Sequence, residues 1–160
     1  MQRSVGGIRG SRPRTFRCNA ARQVARRVGP VVVDSSVVLG VLDARDAHHS
    51  SAVRSLRTAR AKGRAILLPA SAFAEVLVGA SWLGPKATAR TEAFVDSIVD
   101  LVPPIDRNVA KIAATVRAAH KSIMLPDALV IAVGRTVGAS TILTADARWR
   151  AADRRVQILR

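Results

Sequence analysis

The chain has 160 residues, is 49% hydrophobic but only 3% aromatic, and carries a formal charge of +15. That length fits one compact domain with a tail, and the apolar share suffices for a core without disulfides. The lone cysteine, Cys18, excludes an intramolecular disulfide framework and favours a reducing, cytoplasmic setting. The longest apolar stretch, Val28 to Leu42, is interrupted by Asp34 and two serines and is too short to span a bilayer, so no membrane partner is expected.

The charge is unevenly spread. Residues 1–27 hold eight arginines (Arg3, Arg9, Arg12, Arg14, Arg17, Arg22, Arg26 and Arg27) with no lysine and no acid, which leaves 18 basic against 11 acidic residues, or +7, in the rest. Residues 1–29 therefore read as a basic, disordered extension and residues 30–160 as the folded domain. Three roles fit the extension: an inert addition or a start placed too early, a nucleic-acid-binding arm, or an organellar targeting segment. The body is itself basic, which favours a polyanionic partner.

Val31-Val32-Val33 is a continuous β-branched run, apolar on both faces, as a central parallel strand requires. Asp34 ends it, and Ser35-Ser36 can cap a helix through Val37, Val38, Leu39 and Val41. A second helix is predicted over His49 to Lys62, with Val53 and Leu56 inward, Arg54, Arg57 and Arg60 outward, and Gly63 as its stop. Ala65 to Leu68 is the next strand, broken by Pro69. Ser71 opens a short helix carrying Phe73, Glu75, Val76 and Leu77, closed by Gly79, and residues 86–99 form another. Leu101-Val102 reads as a brief strand before Pro103-Pro104. Asp106 caps the most amphipathic helix, in which Val109, Ile112, Ala113 and Val116 recur at helical spacing. Pro126 suits the first turn of a helix from Asp127 to Val137, with Gly138 at its end. Thr141 to Leu143 and Val156 to Leu159 are the last two strands. Strands alternating with helices imply an α/β class, a three-layer sandwich with a mostly parallel central sheet.

Four acids stand beside these apolar runs: Asp34, Glu75, Asp127 and Asp146. Ligands of open parallel sheets sit beyond the carboxyl ends of the strands, where Asp34 and Asp146 fall. Asp127 and Glu75, each near the start of its helix, can lean over the same crevice. Carboxylates gathered there repel one another unless a cation neutralises them. An all-oxygen set without the thiolate and imidazole spacing of a zinc site points to Mg²⁺ or Mn²⁺, the usual equipment of phosphodiester hydrolysis.

With these residues in place the chain resembles the PIN-domain ribonucleases, and specifically the VapC-type toxins of toxin–antitoxin pairs. The resemblance is carried by VVVDSSVVLG at 31–40, SAFAEVLVGA at 71–80 and LPDALVIAVGRTVGASTILTAD at 125–146, and it covers Pro30 to Leu159. Matched residue by residue, it implies that Asp34, Glu75, Asp127 and Asp146 form the family's acidic quartet, with Asp34 and Asp127 on the metal. Ser36 and Thr144 match the family's hydroxyl positions, a supporting role behind the ligands. It further implies Mg²⁺- or Mn²⁺-dependent endonucleolytic cleavage of RNA, a homodimer, and inhibition by a cognate VapB-type antitoxin. The arginine-rich start departs from the family, whose members begin close to the first strand.

Simpler roles compete. A lone Asp after a strand is commonly a helix cap, and Glu75 could be a solvated helix residue. Asp43, Asp46, Asp96, Asp100, Asp106 and Asp153 read as surface or capping residues, and Trp82 as core or interface filler. The histidines, His48, His49 and His120, read as solvent-facing. A noncatalytic RNA- or protein-binding module of the same fold would keep the basic surface without needing the quartet. A phosphatase of the haloacid-dehalogenase kind wants a second Asp where Ser36 stands.

Overall fold

The computed structural model describes residues 29–160. All expectations for residues 1–27 lie outside the described residues. Val31, Val32 and Val33 are fully buried and form β1 (Val31–Val33), as three branched side chains apolar on both faces demand. The other strands are β2 (Ile66–Leu67), β3 (Thr141–Thr144) and β4 (Val156–Ile158). They order as β2-β1-β3-β4, and every pairing is parallel. Among the described residues six α-helices flank them: α1 (Ser35–Leu42), α2 (His49–Ala61), α3 (Ala70–Trp82), α4 (Pro85–Ile98), α5 (Arg107–Ala119) and α6 (Leu125–Thr136). This is the expected three-layer α/β sandwich, and among the described residues no helix is long and apolar enough to cross a membrane.

Sequence order reverses across the sheet at β1, whose two neighbours are β2 and β3. Successive crossovers leave in opposite directions at such a point, and a crevice opens at the strands' carboxyl ends. At the opposite edge the chain enters through Gly29, whose φ of +60° suits glycine. Ser140 clasps this entry: its N–H donates to the Pro30 carbonyl at 2.8 Å and its hydroxyl to the Gly29 carbonyl at 3.0 Å.

Most element boundaries agree with the sequence within a residue or two, and Asp106 does cap α5 through the Val109 N–H at 2.8 Å. Five details differ. Helix α1 is capped by the Asp34 side chain, with Ser35 and Ser36 already helical, because a carboxylate accepts from the first free N–H better than a hydroxyl that has another acceptor in reach. Helix α3 runs through Gly79 to Trp82: a lone glycine costs only about 1 kcal/mol in a helix that its buried Ala72 and Val76 already anchor. The stop comes at Gly84, φ +99°, just before Pro85. Leu101 makes a single parallel bridge to Leu67 instead of a strand, since Pro103 and Pro104 have no N–H to continue a ladder. Of the two roles expected of Trp82, core or interface filler, its 84% exposure removes the first among the described residues.

Asp153 is the fifth. It is buried and receives Arg135 Nε at 2.8 Å and Arg155 Nη1 at 3.2 Å. Arg135 also donates to the Ala152 carbonyl at 2.8 Å, so this cluster ties the end of α6 to the turn before β4. Burial alone would push the Asp153 carboxyl up, but the Arg155 N–H and the two guanidinium groups outweigh it and hold the group below the ordinary carboxylate range. A lowered folded value contributes stability that is present above the unfolded value and lost as pH falls through the folded one. Asp153→Ala is expected to cost about 2–3 kcal/mol in urea unfolding at pH 7, less than the roughly 3–5 of a fully buried pair because both arginines reach solvent. The gap between variant and parent should close in acid.

Candidate active site

The register of β1 against β3 assembles the centre of the site. Val33 lies opposite Leu143, so the next residues along, Asp34 and Thr144, meet where the two strands end. The Asp34 N–H still donates to the Leu143 carbonyl at 3.0 Å. Asp34 is only 7% exposed and Thr144 is fully buried, and a carboxylate so placed needs donors to replace water. Oδ1 accepts from the Ser35 N–H at 2.8 Å. Oδ2 accepts from the Ser36 hydroxyl at 2.7 Å and the Thr144 hydroxyl at 3.0 Å. The same hydroxyls reach onward. Ser36 Oγ accepts from the Ala145 N–H at 3.1 Å, and Thr144 Oγ1 from the Asp146 N–H at 3.1 Å. Ser36 and Thr144 thus clamp the Asp34 loop to the Asp146 loop.

Glu75 joins from α3 and is solvent-exposed. Its Oε2 accepts from the Ser35 hydroxyl at 2.6 Å, and that hydroxyl also lies 3.4 Å from Asp34 Oδ1. Ser35 therefore bridges two members of the quartet, a role its sequence reading as a cap missed; its position beside the first Asp was the signal. Asp127, half-buried at the start of α6, turns Oδ2 back to the Met124 N–H at 3.2 Å. Burial pushes its carboxyl up, the Met124 N–H pulls it down, and the charges of Asp34 and Asp146 push it up again, with a net upward displacement. Asp127 is therefore close enough to feel both Asp34 and Asp146.

Asp146 opens a short 3₁₀ helix, Ala147–Ala151. Arg148 holds it: the backbone N–H donates to Oδ1 at 2.9 Å, and Nε to Oδ1 and Oδ2 at 2.9 and 2.8 Å. Nη2 closes on Oδ2 as well. The Arg148 side chain, foremost, holds the Asp146 carboxyl below its ordinary value. Arg148 was not singled out from the sequence, although an arginine two residues after a helix-capping Asp is within reach of it. Asp43, Asp46 and Asp100 are occupied locally: Asp43 by Arg45, Asp46 by the His48 N–H, and Asp100 by the Ile66 N–H at 2.8 Å, at the entry end of β2 away from the crevice. The histidines sit half-buried, and His49 Nδ1 lies 2.9 Å from the Gly40 carbonyl.

Among the described residues no three acid, histidine or cysteine side chains stand close enough to ligate a metal ion together. Each outlying acid is turned to a local partner: Glu75 to Ser35, Asp127 to Met124, Asp146 to Arg148. The donor set nonetheless suits a hard cation. It is all carboxylate oxygen, and the upward push that Asp34 and Asp146 exert on Asp127 is the repulsion such a cation would relieve.

A parallel α/β domain with carboxylates at the strand ends beside its strand-order switch defines the class. The family model of the PIN domain matches residues 31–155, and the chain belongs to that family. No curated protein matches it significantly. Solved structures that it resembles include a toxin–antitoxin complex from Klebsiella pneumoniae, at 19% identity and TM-score 0.65, covering 81% of this chain and 98% of that one. The Mycobacterium tuberculosis toxin VapC20, which cleaves the sarcin-ricin loop, aligns at 20% identity and TM-score 0.60 over 76% of this chain and 94% of its own. FitAcB from Neisseria gonorrhoeae aligns at 22% identity and TM-score 0.63, covering 79% and 95%. At these identities the likeness speaks for the fold.

The raised Asp127 value gives a pH test. A folded value above the unfolded one means that the native state binds the proton more tightly, so stability falls as pH rises from the unfolded value through the folded one. Asp127→Asn removes the charge and keeps an acceptor for the Met124 N–H. Metal-free variant should be more stable than parent at pH 7 by about 0.5 kcal/mol, a figure discounted for partial exposure. Thermal unfolding from pH 7 down to 4 should show the difference shrinking.

Proposed function

We propose that the chain is a metal-dependent endoribonuclease, the toxin of a type II toxin–antitoxin pair, hydrolysing RNA phosphodiester bonds at the crevice of Asp34, Glu75, Asp127 and Asp146. The observation that carries this reading is the clamp in which Ser36 and Thr144 hold a buried Asp34 carboxylate and the Asp146 backbone together, with Asp127 under the charge of both acids. Membership of the PIN-domain family supports nuclease chemistry. The toxin–antitoxin complexes among the structural relatives support a VapB-type antitoxin as inhibitor. A homodimer and a cytoplasmic setting belong to the same reading.

In this reading Asp34 and Asp127 hold the cation, Mg²⁺ or Mn²⁺, with Glu75 beside them. When bound, the ion supplies an acidified water and offsets charge on the scissile phosphate. The protein's own part is positional. Ser35, Ser36 and Thr144 fix the Asp34 carboxylate so that little reorganisation accompanies reaction, Asp146 would hold a second ion or orient water, and basic residues of the body hold flanking phosphates without reading sequence.

Asp34→Asn, Glu75→Gln, Asp127→Asn and Asp146→Asn should each fold and lose most Mg²⁺-dependent cleavage, by about a hundredfold or more if each group acts in the rate-limiting step. A single-turnover assay on a structured RNA, with Mg²⁺ replaced by EDTA as control, measures this. Undiminished cleavage by any two variants would remove the shared site, and metal-independent background alone in the parent would leave a noncatalytic module of this fold.

A further inference from the structure

Of the five ion pairs among the described residues, the one that reaches the crevice is Arg148 with Asp146. A single guanidinium engages both Asp146 oxygens, so another cation drawing on them would meet a like charge already in place. Trp149, 1% exposed, seats the 3₁₀ helix in the core, whereas the Arg148 side chain is 60% exposed. Its charge also extends past its direct partner to Asp127.

We propose that Arg148 is a built-in counter-cation of the acidic crevice: it occupies Asp146 in the resting chain and must be displaced for a divalent ion to draw on that carboxylate. The inference rests on the metal-dependent reading above and adds a residue to it. Arg148 neutralises the cluster while no ion is present, sparing the fold an uncompensated group of carboxylates, and it sets a threshold of ion concentration below which the site stays closed. Neighbouring Arg150 supplies the control, because it shares the 3₁₀ helix and carries the same charge but makes no ion pair among the described residues.

Calorimetric titration of the full chain with Mn²⁺ alone, without RNA and at fixed ionic strength, tests this. Arg148→Gln should bind Mn²⁺ about fivefold more tightly than the parent, the size of a good exposed ion pair. Arg148→Lys, which keeps the charge but loses the fork, should fall between, and Arg150→Gln should match the parent. In an Asp146→Asn background, Arg148→Gln should bring little gain. Circular dichroism confirms that each variant is folded. Equal Mn²⁺ affinity in folded Arg148→Gln and parent overturns the counter-cation and leaves the nuclease reading standing, as does an equal gain from Arg150→Gln, which would make net charge the cause. Absence of Mn²⁺ binding in both parent and Arg148→Gln overturns this proposal and the metal-dependent function together.

Discussion

Everything in the crevice depends on one buried carboxylate. Asp34 sits where β1 ends, with almost no access to water, and the free energy of hiding its charge is recovered from donors on two elements: the Ser35 N–H and Ser36 hydroxyl from the first turn of α1, the Thr144 hydroxyl from the end of β3. Because β1 and β3 pair in register from Val31 and Thr141 onward, the arrangement is dictated by backbone hydrogen bonds made some residues away. A slip of one residue would turn Thr144 to the other face of the sheet and take from Asp34 the one donor that comes from β3.

The remaining acids illustrate how a protein manages like charges at close quarters. Asp127 is displaced upward, first by burial and then by the charges of Asp34 and Asp146, and Asp146 is relieved by a guanidinium from its own 3₁₀ turn. Glu75 stays in solvent and is tethered by a serine. The four groups differ in burial and partner, so they are not equivalent ligands, and removal of charge at one must alter the others.

The fold was legible because its signals are local. The valine run of β1, the periodicity of α5, Pro126 near the start of α6 and the glycine stops each act within a few residues. What escaped depends on distant neighbours. Gly79 reads as a stop until the packing of Ala72 and Val76 is known, and Leu101 reads as a strand until its ladder is found to end at two prolines. Asp153 reads as a surface residue until Arg135, 18 positions away, is brought against it. In the site, the acids and the hydroxyls of Ser36 and Thr144 could be named from their order along the chain. The bridging of Ser35 to Glu75 could not, since it spans 40 positions. Arg148 escapes for a different reason: an arginine two residues after an acid reads equally well as a solvated side chain, and only the 3₁₀ turn brings its guanidinium onto Asp146.

In a parallel sheet all strands begin at one edge, and here that polarity separates the two ends of the described chain. Gly29, clasped by Ser140, enters beside the start of β1, whereas Arg160 follows the end of β4 on the side where Asp34 and Asp146 open. The described domain therefore begins at the rim remote from the acids and ends on their side. A fluorophore or a tether to a sensor chip joined after Arg160 would share a rim with the acids and shadow them, so immobilisation for binding measurements is best kept away from that end.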